Sequence, residues 1–177
     1  YNNEEIDYAN LAIIAALHVK ANMKHNKVAL ICDQRTAGHI EWKFDKKLID
    51  TAFDYIIIDN IESPFRNTRV HHDSPWHTFT APFKNQNKHQ VLDYSPFDKT
   101  LLIDTDYLIG NANLDAVFDL DAPLQMYNSA TNLEFKDPHP DEIRLRHNGV
   151  DMWWSTVIYF DKSDFCRLFF DLWGHIR

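Results

Sequence analysis

Leu101–Gly110, LLIDTDYLIG, is the stretch on which the reading of this chain turns. Leu101, Leu102 and Ile103 follow one another without a polar residue, as in a strand buried on both faces, and Ile109 carries the apolar character further. Asp104 and Asp106 stand where that strand meets solvent. Carboxylates at i and i+2 of a straight strand point to one face, so the spacing predicts that both reach a single ion. Ligands of open α/β sheets bind in the crevice at the carboxyl ends of the strands. Two acids in that place suit a hard divalent cation, Mn²⁺ or Mg²⁺, that also carries phosphate oxygens. The plainer reading is a solvated Asp-x-Asp turn closing a strand, and from this stretch alone the two stand level.

Two earlier runs share the same grammar of buried strand followed by acid: Lys27–Asp33, KVALICD, and Phe53–Asn60, FDYIIIDN, with Asp59. Between and around them lie helical patterns. Ile6–Lys24 reads as a helix whose apolar face is Tyr8, Leu11, Ala12, Ala15 and Val19. Gln34–Lys43 reads as a loop around Gly38, and Lys46–Phe53 as a short helix. Apolar strands separated by such crossovers predict an α/β fold, Rossmann-like, with a mostly parallel sheet and helices on both faces. A helix that leads directly into a strand is the back half of a β-α-β unit, which implies a first strand ahead of Tyr1.

Ile61–Phe83, rich in His, Pro and polar residues, is expected to be a long loop packed near the ligand. His71, His72 and His77 invite a metal reading, but neighbouring histidines diverge and no Cys or HExxH-like frame supports zinc. Lys84–Asp93 predicts a short helix, Ser95–Thr100 a turn set by Pro96, and Asn113–Phe118 a helical turn. Ala122–Ala130 reads as a strand, Asn132–His147 as a polar segment, and Met152–Ser163 as a strand dense in aromatic and β-branched residues. Asp164–Ile176 predicts a closing helix with Phe165, Leu168, Phe169, Leu172 and Ile176 on its buried face.

The chain has 177 residues, enough for one domain with its own core, and its 45% hydrophobic and 25% charged content is that of a globular fold. Net charge is −8, which speaks against nucleic acid as a partner, because binding along a phosphate backbone needs a basic surface. A nucleotide held through a metal remains compatible, since the cation supplies the positive charge. Cys32 and Cys166 lie too far apart in sequence to suggest a zinc motif or disulfide framework, and Cys32 reads as core. No apolar run reaches the ~18 residues needed to cross a bilayer, so no transmembrane segment and a cytoplasmic location are expected. The chain opens on Tyr1 rather than Met and stops at Arg177 inside a helical pattern, so residues 1–177 read as a single domain truncated at both ends.

The ordered set SPFDKTLLIDTDYLI followed by the WWSTVIYF strand resembles nucleotide-sugar-dependent glycosyltransferases of the A-type fold, in a phage or bacterial branch. The resemblance extends from NNEEIDYANLA to the last helix. It implies transfer of a sugar from a nucleotide diphosphate sugar to a hydroxyl of a glycan, lipid or protein acceptor. It also implies Mn²⁺ or Mg²⁺ on the D-x-D acids, with Asp106 a direct ligand and Asp104 facing the metal or the ribose. A cation between the phosphates would stabilise the charge that develops on a diphosphate leaving group. Tyr1 and Asp33 match the place where such enzymes hold the nucleotide base. Lys84 matches a basic residue that begins the helix before the motif, with an exposed helix-start lysine as the alternative. Trp153, Trp154, Ser155 and Thr156 fall where donor sugar and acceptor bind, since indole faces stack on sugar rings and hydroxyls hydrogen-bond them. Trp153 and Trp154, adjacent on a strand, are expected to face opposite ways, so that only one lines a pocket. Asp151 is the candidate base if the reaction inverts. The chain departs from the family in lacking the first strand, and in a late histidine, His175, whose surroundings LWGHIR do not match the family's third metal ligand. Two rival readings use the same residues: a haloacid dehalogenase-like phosphatase built on Asp104 and Asp106, and a non-catalytic nucleotide-binding module. The first usually carries its motif on the first strand and wants Thr or Val where this chain has Leu108.

Overall fold

A computed structural model of the chain describes residues 6–59, 68–74, 77–82, 87–128, 147–149 and 153–176. Helix α1 spans Tyr8–Asn22; Asp7 caps it by accepting the N–H of Asn10. It leads into strand β1, Ala29–Cys32. Helices α2, Gln34–Lys43, and α3, Lys46–Ala52, then carry the chain to β2, Tyr55–Ile58. The expected loop at 34–43 is therefore a helix. Its start is set by the Asp33 carboxylate, which accepts the N–H of Thr36 at 2.6 Å, and Ile40, Thr36 and Ala37 are its buried face. That cap and spacing offset the cost of Gly38 in the helix interior. β1 and β2 pair in parallel over Ala29–Tyr55 to Cys32–Ile58.

Strands β3, Thr68–Ser74, and β4, His77–Pro82, pair antiparallel, so the segment read as a long loop contains a hairpin. Thr and Val in β3 and the Thr-Phe-Thr run in β4 have the β propensity for it. A 3₁₀ turn, Asn87–Gln90, continues into the short helix α4, Val91–Tyr94. β5, Lys99–Ile103, follows, then a 3₁₀ segment, Ala112–Asp119, and β6, Leu124–Tyr127. β7, Trp154–Asp161, and helix α5, Asp164–His175, close the described chain.

The mostly parallel sheet is corrected here. β7 lies between β5 and β6 and is antiparallel to both, and no ladder joins this three-stranded sheet to the parallel pair β1–β2 among the described residues. An apolar run reports burial of both strand faces, but strand direction belongs to the pairing partner and is not written in the run. What holds is a mixed α/β architecture, with helices packed on two faces. Alternate residues of β1 and β5 enter the same two layers. Leu30 and Cys32 pack against α1, and Leu101 and Ile103 against the end of α1 with Ile109. Ile31 and Leu102 point the other way, into the cluster of Val91, Leu92, Ile158, Phe160, Cys166 and Phe170. The two sheets are separate, and Ile31 and Leu102 pack against the same cluster.

α5 docks on a different face from the expected one. Cys166 and Phe170 are buried with Phe169 and Trp173 beside them, whereas Phe165, Leu168, Leu172 and Ile176 are exposed. The helix is apolar on both sides, and the Phe160 ring, 5.0 Å from that of Phe170 and edge-on, selects which side is covered. α1 is likewise apolar nearly all round. It buries Ala9, Ala12, Ile13, Ala15, Ala16 and Val19, which shifts its contact face from the expected Tyr8 and Leu11 toward Ala9 and Ile13. Both cysteines are free and buried, and burial, with Asp33 alongside, pushes the Cys32 thiol up to about 11, in keeping with a core residue. Among the described residues no helix is long and apolar enough to cross a membrane.

Candidate functional site at the strand ends

Three acids follow the three strands that were read from apolar runs: Asp33 after β1, Asp59 after β2 and Asp104 after β5. The 3₁₀ turn before α4 shows that the last two lie on one rim. Asn87 Nδ2 donates to Asp59 Oδ2 at 3.0 Å, and the adjacent Lys88 Nζ lies 2.6 Å from Asp104 Oδ1. The 3₁₀ turn thus brings the acids that follow β2 and β5 near one another.

The three acids differ in their commitments. Asp33 caps α2 through Thr36. Asp59 is buried and also accepts the Tyr94 hydroxyl at 3.1 Å, which ties β2 to α4. That hydrogen bond, after burial itself, holds the Tyr94 phenol above its ordinary pKa. Asp104 keeps its backbone in the sheet, its N–H donating to Thr156 O at 3.1 Å, while its carbonyl accepts the N–H of Tyr107 at 3.0 Å. That second bond closes a turn over Thr105–Asp106. The straight-strand geometry expected for the pair therefore does not apply, because β5 ends at Ile103 and Asp106 sits on the turn, exposed.

The two carboxylates still sense one another. Burial pushes the Asp104 carboxyl above its usual range; Lys88 works against this, and the charge of Asp106 reinforces it. The Asp104 side chain is 25% exposed and that of Lys88 14%, so this ion pair is largely withdrawn from water. Lys88 Nζ also donates to Ser155 O of β7 at 3.0 Å, which fixes the ammonium between two strands. Carboxylates are the donor type that a hard divalent cation takes. Asp104 and Asp106 are both carboxylates, and Asp104 already holds a positive charge in the form of the Lys88 ammonium. Among the described residues no group of three His, Cys, Asp or Glu is placed to hold a metal ion.

Of the other expected residues, Thr156 is at the site through its backbone, as the acceptor for Asp104. Trp153 precedes β7 and is exposed, while Trp154 is the first residue of the strand, opposite Tyr127 where the register shifts. Tyr1, Lys84 and Asp151 lie outside the described residues. Sequence reasoning missed Lys88, Asn87 and Tyr94, and it read Asp59 as a strand-end acid without assigning it to the site. The available signal was Lys88 itself, four residues after Lys84 in a helical pattern and therefore on the same face. A depression of about 320 Å³ between the 3₁₀ turn, α4 and α5, lined by His89, Asp93, Asp171 and His175 among others, includes none of the rim acids. No protein-family model, curated protein or solved structure matches this chain.

Proposed function

We propose that this chain binds a nucleotide diphosphate sugar at the rim through a divalent cation, Mn²⁺ or Mg²⁺, on Asp104 and Asp106, and transfers the sugar to a hydroxyl acceptor. The observation that carries the reading is the half-buried Asp104 at the carboxyl end of β5, facing a fixed ammonium, with Asp106 on the adjoining turn. The resemblance of SPFDKTLLIDTDYLI and WWSTVIYF to A-type glycosyltransferases supplies the reaction class. When bound, the cation supplies neutralising charge to the diphosphate leaving group. The chain's own residues do the rest. Asp104, held by its N–H to Thr156, fixes one carboxylate; Asp106 offers a second, solvent-accessible one; Lys88 offers a positive charge to phosphate oxygens. Trp153, exposed beside the start of β7, offers an indole face to a sugar ring, and Asp151 is the candidate base toward a glycan, lipid or protein acceptor. A soluble, cytoplasmic setting goes with this proposal.

The test is calorimetric titration with UDP and GDP, with and without Mn²⁺, on the chain and on Asp106→Ala. Mn²⁺-dependent nucleotide binding that disappears in the variant is expected. Binding that is unchanged in Asp106→Ala sinks the assignment. Hydrolysis of a phosphomonoester without nucleotide binding would point to the phosphatase reading, and nucleotide binding without any sugar transfer to the non-catalytic module.

A further inference from the structure

Lys88 occupies the position that a cation would need. Its ammonium sits 2.6 Å from Asp104 Oδ1, and the side chain is held from the other side by Ser155 O at 3.0 Å. The backbone beneath it is anchored, because Asn87 and Tyr94 both bind the buried Asp59 at the end of β2. The root of the lysine is therefore fixed, and the flexible four-carbon stem lets the ammonium move only by giving up its contacts with Asp104 and Ser155. A divalent cation bonds a carboxylate oxygen at about 2.0–2.2 Å. With Lys88 still at 2.6 Å, two positive charges would crowd one carboxylate in a place partly withdrawn from water, where repulsion is poorly screened.

We infer that Lys88 is an internal counter-ion that closes Asp104 to a bare cation, and that it moves its ammonium from Asp104 to the diphosphate when donor and cation arrive together. A diphosphate has oxygens for both positive charges, so it removes the conflict that either cation alone creates. Cation and diphosphate binding are then positively coupled, and by linkage each strengthens the other by the same factor. The inference rests on the proposed cation–diphosphate site and specifies how that site distinguishes a free metal ion from a metal bound to substrate.

The experiment measures Mn²⁺ binding by the loss of the free-ion paramagnetic resonance signal, with and without inorganic pyrophosphate, on the chain and on Lys88→Met and Lys88→Arg. Circular dichroism confirms that each variant is folded. A charge-assisted hydrogen bond is worth enough that its removal changes an affinity roughly tenfold or more. Lys88→Met should therefore bind Mn²⁺ alone about tenfold tighter than the natural chain, and lose most of the tightening that pyrophosphate confers. Lys88→Arg, which keeps a positive charge, should return Mn²⁺ alone to weak binding. If Lys88→Met leaves both the affinity for Mn²⁺ alone and the coupling to pyrophosphate unchanged, while Asp104→Asn abolishes Mn²⁺ binding, the counter-ion role is overturned and the cation site stands. If neither the natural chain nor any variant binds Mn²⁺ with pyrophosphate, the cation site itself fails and the inference with it. Tighter Mn²⁺ binding in Lys88→Arg as well as in Lys88→Met would also overturn it, because a steric effect rather than charge would then be responsible.

Discussion

The face on which α5 docks gives a sharp test of the packing, through the pair Phe170→Ala and Leu168→Ala. Phe170 is 2% exposed, and its ring lies 5.0 Å from Phe160, 5.3 Å from Phe169 and 5.9 Å from Trp173. Truncating a buried Phe to Ala removes its transfer free energy and leaves a cavity, a loss of about 3–5 kcal/mol. The edge-on contact with Phe160 contributes about 0.5–1.5 kcal/mol of that beyond the buried area. Leu168 is 58% exposed, so less than half of its side chain has anything to lose. With full burial of a leucine worth about 1.5–3 kcal/mol, Leu168→Ala should cost about 1 kcal/mol or less. Urea unfolding followed by tryptophan fluorescence and by far-ultraviolet circular dichroism measures both. Because domains of this kind are stable by about 5–15 kcal/mol, Phe170→Ala should lower the midpoint strongly and Leu168→Ala barely move it. Equal losses, or a larger loss for Leu168→Ala, would mean that α5 is docked through its other face.

Asp54 and Asp33 give two further tests. Lys20 donates to Asp54 Oδ2 at 2.5 Å and the Val28 N–H at 2.7 Å, so Lys20 first and then Val28 hold that carboxyl below its ordinary value. A carboxyl whose folded pKa is depressed contributes stability that is present above its unfolded value of about 3.9 and is lost as pH falls through the folded value. Asp54→Asn should therefore be less stable than the natural chain near neutrality, and the gap should close below about pH 4; a gap that widens on acidification would contradict the assignment. Asp33→Ala should lose about 1 kcal/mol of stability, with exchange of the first α2 amides quickening, because it removes the α2 cap. Unchanged exchange at Thr36 would show that the cap is unimportant.

Local signals in the chain were strong wherever burial and capping are local. The runs ALIC, YIII and TLLI lie in strands β1, β2 and β5, and each is followed by its acid. Residues 68–74 and 77–82 pair as antiparallel strands where a composition rich in His, Pro and polar residues had suggested a loop, and Asp33 starts a helix where Gly38 had suggested none. In both cases a side chain–backbone bond or a strand partner outweighed the local breaker. Of the candidate site, the Asp104–Asp106 pair was legible, because carboxylates at a strand end declare themselves in one line of sequence. Lys88 was not, because the residue that reaches Asp104 depends on how the 3₁₀ turn is anchored to Asp59, 28 residues earlier.

What the sequence by itself determined is thus the apolar strand segments and the acids at their ends, both consequences of side-chain polarity along the chain. Only the tertiary structure decided the sense of β7, the covered face of α5, and the cation that faces Asp104. An apolar strand buries its two faces whichever way it runs. A helix apolar on two sides has no preference until Phe160 meets Phe170. An ammonium finds its carboxylate only when β2, α4 and β5 are brought to one rim.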